Sequence, residues 1–136
     1  MTGSKRTLIA TLIVSGLLVF LLPWKSQIVP TWKVKVVDQD GNPIPNLAVS
    51  QNWVEPNFQV LWLEEDFRTD ENGFVSFPER STWQNVFLKV GSPIWNRLLP
   101  GKQNYDAMVF GWGSYSHGEV YYHSGQVLPE KLVMYR

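Results

Sequence analysis

A chain of 136 residues has the size of a single folded domain, and with 44% hydrophobic and 14% aromatic residues it is far too apolar for a disordered tail or linker. Twelve Lys and Arg balance twelve Asp and Glu, which removes the basic excess that nucleic-acid binding normally requires, so no nucleic-acid partner is expected. Cysteine is absent, and with it disulfides, thiolate metal sites, a cysteine nucleophile and a lipidated cysteine are excluded.

Residues 7–24 carry no charge, and the apolar run 8–22 is interrupted only by Thr11, Ser15 and Gly16. Lys5 and Arg6 stand directly before it, the order of a secretory signal. No Ala-x-Ala-like arrangement follows, because the run ends Phe20-Leu21-Leu22-Pro23-Trp24-Lys25. The expectation is therefore a retained transmembrane anchor over residues 7–24, reaching about 27 Å if wholly helical. The positive-inside rule leaves residues 1–6 in the cytoplasm. Residues 25–30 then read as a linker, and residues 31–136 as an extracytoplasmic, periplasmic domain on the inner or plasma membrane. That exported part holds nine basic and twelve acidic residues, about −3 in net charge, so electrostatics alone would not draw it to an anionic bilayer.

The rest of the chain reads as short strands. Residues 31–37 alternate, with Trp32, Val34 and Val36 on one face and Lys33 and Lys35 on the other. Asp38, Asp40, Gly41, Asn42 and Pro43 are dense turn formers, and a strand resumes over 47–53. Residues 59–63 suggest a third strand, closed by Glu64-Glu65-Asp66 as a solvated loop. Residues 67–69 and 74–77 flank the turn Asp70-Glu71-Asn72-Gly73, whose Gly accepts positive φ, so two strands around a tight turn are expected. Residues 84–90 alternate again. Ser92-Pro93 and Pro100-Gly101 then bracket one short helical turn. Residues 105–112, 119–124 and 126–135 complete a set of about seven short strands, which indicates an all-β, Greek-key β-sandwich behind one N-terminal helix.

Lys35-Val36-Val37-Asp38-Gln39-Asp40-Gly41-Asn42-Pro43-Ile44-Pro45, followed by Arg68-Thr69-Asp70-Glu71-Asn72-Gly73-Phe74-Val75, resembles the carboxypeptidase regulatory-like domains over about residues 31–78. The resemblance implies a small transthyretin-like, or prealbumin-like, sandwich that serves as a non-catalytic binding, accessory or structural module. On it Asp38, Gly41, Pro43, Asp70 and Gly73 are structural turn residues. One enzyme family shares that fold, the hydroxyisourate hydrolases, and Arg68, His123 and the terminal Tyr135-Arg136 are similar to its pattern. Lys35 stands where that family has its first His, and a charged Lys does not accept a proton as imidazole does, so the hydrolase reading is disfavoured.

Other chemistry is sparse. His117, Glu119, Tyr121 and His123 would share one face of a continuous strand, but the two His lie about 20 Å apart along extended chain, too far to hold one zinc ion. Residues 38–49 begin like a calcium loop, yet Pro43 and Val49 occupy the positions that need Gly and Glu. Nucleophile elbows, phosphate loops and His-Glu-x-x-His are absent. No catalytic residue, metal or cofactor is expected. The aromatics are abundant for one small core, with Trp53, Trp62, Trp83, Trp95, Trp112, Tyr115, Tyr121 and Tyr122 partly beside loops. Large amphipathic rings bury much area at low entropy cost. Trp95, Trp112, Tyr115 and Tyr121 are therefore the candidate binding residues, directed at an envelope protein or a cell-wall glycan.

Overall fold

The computed structural model describes residues 3–55, 61–98, 105–113 and 116–135. Helix α1 (Gly3–Leu21) leads into β1 (Trp24–Val29), β2 (Trp32–Val37), β3 (Ala48–Glu55), β4 (Leu61–Arg68), β5 (Phe74–Phe77) and β6 (Arg80–Gln84). Helix α2 (Val86–Leu98), β7 (Ala107–Gly113), β8 (Ser116–Tyr122) and β9 (Lys131–Val133) follow. The protein is thus mostly β. Its strands form a four-stranded sheet in the order β4-β3-β7-β8, a three-stranded sheet β5-β2-β9 and a two-stranded ribbon β1-β6.

The alternation of β2 places Trp32, Val34 and Val36 in the core, with Lys33 exposed. They meet Val75 and Phe77 of β5, Leu132 of β9, and the inward residues of the larger sheet, Val49, Ala107, Val109 and Tyr122. Rings lock the two layers: Phe67 meets Phe77 edge-on at 5.1 Å and Trp32 lies 6.1 Å from Tyr122. The indole N–H of Trp32, which burial would otherwise leave without a partner, donates to the Pro129 carbonyl.

The two anticipated turns form and interlock. Asp38 Oδ1 accepts from the backbone N–H groups of Asp40 and Asn42, and the Asn42 amide donates to Oδ2. Gly41 takes φ 87°. Asp70 Oδ1 accepts from the N–H groups of Asn72 and Phe74, Gly73 takes φ 78°, and Pro43 bridges to Val37. Thr69, buried between the turns, donates its hydroxyl to the Ile44 carbonyl and accepts from the Leu47 N–H.

The hydrogen bonds from Asn42, first its amide and then its backbone, hold the Asp38 carboxyl below its ordinary value of 3.8. A depressed carboxylate contributes stability above its unfolded pKa and loses it as pH falls through the folded one. Thermal melts between about pH 5 and pH 2.5 should therefore decline less steeply for Asp38→Asn than for the parent chain. Parallel declines would show that the turn carboxylate does not contribute.

Several expectations need correction. Residues 25–30 are not a linker, since Trp24–Val29 is a strand whose side chains alternate in burial and which pairs antiparallel with β6, a strand missed between Pro78 and Asn85. The acidic residues 64–66 are not a loop but lie inside β4, at a sheet edge, where charge discourages pairing with foreign strands. β4 and β5 are not a hairpin: the Asp70–Gly73 turn carries the chain from the four-stranded to the three-stranded sheet. Residues 84–90 are not a strand, nor is Pro93 at a helix start. Asn85 caps a helix that begins at Val86, its Oδ1 accepting from the Leu88 N–H, and the helix continues to Leu98.

Helix α1 ends at Leu21, just before Pro23, so it does not extend through residue 24. Its uncharged part, residues 7–21, reaches about 22 Å. Among the described residues no helix is long and apolar enough to cross a membrane. Leu8, Ile9, Leu12, Ile13, Val14, Leu17, Leu18, Val19, Phe20 and Leu21 are all exposed.

Candidate functional site

The register of β3, β7 and β8 decides which side chains share the outer face of the four-stranded sheet. Ser50 lies opposite Phe110, which lies opposite Glu119; Asn52 lies opposite Met108, which lies opposite Tyr121; Trp112 lies opposite His117. Period-two alternation sends all of these away from the core. On the far side, Val49, Val109 and Gly111 face inward, and Gly118 lies so close to β9 that a Cβ there would sit 2.3 Å from the Val133 carbonyl oxygen.

Met108, Phe110, Trp112, His117 and Glu119 line a shallow groove of about 260 Å³ floored by Gly111 and Gly118. Trp112 is 69% exposed at one corner, and its ring meets Phe110 edge-on at 6.3 Å and 86°. Toward the opposite corner, Tyr121 lies 4.7 Å from Tyr105, and Tyr105 lies 5.4 Å from Trp62, both pairs strongly tilted. The face carries an aromatic diagonal from Trp112 to Trp62.

Acidic groups border it. Glu64, Asp66 and Glu119 lie on this face, and the Ser50 hydroxyl donates to Asp66. The Tyr121 hydroxyl donates to the Glu119 carboxylate, which favours the protonated phenol and pushes its pKa up to about 12. Tyr121 therefore stays neutral across the physiological range.

Of the four candidate binding residues, the structure brings Trp112 and Tyr121 onto this one face. Trp95 belongs to α2 instead, and Tyr115 lies outside the described residues. Phe110, Met108, His117 and Glu119 were not anticipated as companions. Their signal was the even positions of β7 set against the odd positions of β8, which needs the pairing register. Other aromatics do fill space: Tyr122 is core, and Trp53 and Trp62 are half-buried.

The groups a hydrolase site would need lie apart. Lys35 is on β2 with its ammonium near the Phe74 ring, whereas Arg68 ends β4 in the other sheet and donates to the Asn46 carbonyl. His123 follows β8 at the end where Tyr122 pairs with Ala107, while Arg68 pairs with Ala48 at the opposite end of β3. Among the described residues no cluster of His, Asp and Glu could hold a metal ion. No family model matches this chain, and no curated protein matches it.

Proposed function

We propose that the chain is a membrane-anchored, extracytoplasmic β-sandwich that binds a protein partner through the outer face of its four-stranded sheet, without catalysis. The observation that carries this is the groove beside Trp112: an exposed Trp, an edge-on Phe and a Met within an acidic border. Apolar rings at the centre with charges at the rim are the composition of protein contact surfaces. The border of Glu64, Asp66 and Glu119 favours a partner segment that pairs apolar with basic side chains. A sugar platform would want rings that share a plane, and the tilts of 86°, 50° and 55° along this diagonal speak for the protein partner over the glycan. The interlocked turns at Asp38–Pro43 and Asp70–Gly73 fit the scaffold role that the carboxypeptidase regulatory-like resemblance implies, and the prealbumin-like topology belongs to the same proposal.

The anchor in this reading is α1. Its exposed Leu, Ile and Val side chains form a contiguous apolar surface of the kind that marks a membrane contact. Its uncharged stretch is shorter than a hydrocarbon core of about 30 Å, but Lys5 and Arg6 reach outward at one end, Trp24 and Lys25 sit at the other, and local thinning closes the remainder.

A photocrosslinking side chain at Trp112, in the full chain in its own membranes, should give a higher-mass adduct, and one at Lys33, on the three-stranded sheet, should not. Equal adducts, or none from 112, overturn the reading. Trp112→Ala should weaken the captured complex about 10-fold or more while leaving thermal stability within about 0.5 kcal/mol, since the side chain is mostly exposed. Quenching of tryptophan emission by cell-wall glycans, absent in Trp112→Ala, would instead favour the sugar ligand.

A further inference from the structure

Much of the apolar surface of helix α2 is exposed. Phe87, Val90, Ile94 and Leu98 recur at three- and four-residue spacing, so they form one stripe, and Leu98 is 72% exposed. Trp95 widens the stripe by one position, and Lys89 falls on the opposite side, its ammonium near the Trp24 ring. The helix sequence contains Lys89 and Arg97 and no acidic residue.

Its place in the fold says what covers it. Trp24 pairs with Gln84, so the end of the ribbon where β1 begins is the end where β6 stops. Helix α1 enters at that end and α2 leaves from it, and the two helices come into contact. Trp83, 68% exposed, pairs with Lys25 at the same end. If α1 is inserted, α2 starts at the level where it emerges, flanked by the Trp and Lys side chains that favour headgroup depth. From there β1 leads into β2, which carries the sandwich away: the turns at 38–43 and 70–73 lie at the far end of β2 and β5.

We infer that α2 is an interfacial helix, seated on the outer surface of the bilayer that holds α1 with the Phe87–Val90–Ile94–Leu98 stripe facing the acyl chains. An amphipathic helix with a continuous apolar stripe and basic rather than acidic charge lies in the membrane plane, its stripe about 5–10 Å below the headgroups. The surface bound is lipid, and the seat fixes the height and orientation of the sandwich above it. This inference rests on the membrane reading of α1, so its test must separate the two.

The chain has no cysteine, so single-cysteine nitroxide labels can be placed without background. The full-length protein would be reconstituted into vesicles of phosphatidylcholine and phosphatidylglycerol, with labels at Leu17→Cys in α1, Ile94→Cys and Leu98→Cys in α2, and Glu71→Cys in the far turn. Accessibility to oxygen against a water-soluble nickel reagent reads depth. Labels at 94 and 98 should show a several-fold shift toward oxygen relative to 71, at a depth shallower than 17. A deep label at 17 with aqueous labels at 94 and 98 overturns the inference and spares the anchor. An aqueous label at 17 with lipid-exposed 94 and 98 overturns the anchor alone. Dipolar broadening between copies at 94, in place of lipid contact, would assign the stripe to a second copy and overturn the lipid assignment.

Discussion

Gly73→Ala is expected to destabilise the sandwich by about 3 kcal/mol, whereas Gly41→Ala, in the neighbouring turn, should cost about 1 kcal/mol. Both glycines hold positive φ, 78° and 87°, so the backbone penalty for a Cβ is similar at the two positions. What differs is space. A Cβ on Gly41 meets nothing within 4 Å. A Cβ on Gly73 would lie 2.8 Å from the Val36 carbonyl oxygen, 2.8 Å from the Pro43 Cβ and 3.1 Å from the Ile44 nitrogen. None of these is the end of a flexible side chain. The Gly73 carbonyl also accepts from the Val36 N–H at 2.8 Å, so moving the turn aside stretches a bond to the central strand β2. For a domain of this size the midpoint should fall by more than about 12 °C in Gly73→Ala and about 4–8 °C in Gly41→Ala. Equal falls would show that φ alone matters and that the two turns are not packed against each other.

These same turns mark how far local chemistry reads through to structure. Asp38, Gly41, Pro43, Asp70 and Gly73 were legible because the bonds that close each turn lie within a few residues, and β2 and β7 were legible because their alternation survives burial on one face. Elements decided by distant partners were not. The acidic run 64–66 resembles a loop until β4 is known to be an edge. Residues 24–29 become a strand only when 80–84 come alongside. In 84–98 two periods competed, since Val86, Leu88 and Val90 alternate while Phe87, Val90, Ile94 and Leu98 follow a helix, and the Asn85 cap favours the second. The candidate face followed the same rule. Trp112 and Tyr121 stood out as aromatics beside turns, but their grouping with Phe110, His117 and Glu119 depends on a register that neither strand specifies alone.

Arg80 ties the ribbon to the sandwich, and its loss should be as costly as that of Gly73. Arg80 is the first residue of β6, and its guanidinium reaches across to the inner face of the larger sheet. There it stacks 4.0 Å over the Trp53 ring, donates through Nε to Gln51 Oε1 at 2.8 Å and pairs through Nη1 with Glu65. These contacts are unequal in worth. Glu65 is about half exposed, and an ion pair with one solvated partner contributes no more than about 1 kcal/mol. The stacked guanidinium, largely out of water, contributes about 1–2 kcal/mol. Gln51 is wholly buried, so deleting its donor strands a desolvated oxygen at about 1–3 kcal/mol. Arg80→Ala should therefore cost about 3 kcal/mol, Glu65→Gln under about 1 kcal/mol, and Arg80→Lys an intermediate amount, since an ammonium neither stacks flat nor donates from the Nε position. Replacing Gln51 and Arg80 together by Leu and Met should recover much of the loss, because no buried oxygen is then left without a donor. Chemical denaturation of the four variants checks the order; a Glu65→Gln cost equal to that of Arg80→Ala would show that the charge pair, not the stack and the Gln51 bond, holds the ribbon. The ribbon carries α1 at one strand and α2 at the other, so on the proposed membrane seat Arg80→Ala should also broaden the depth readings at Ile94 and Leu98 while leaving that at Leu17 unchanged.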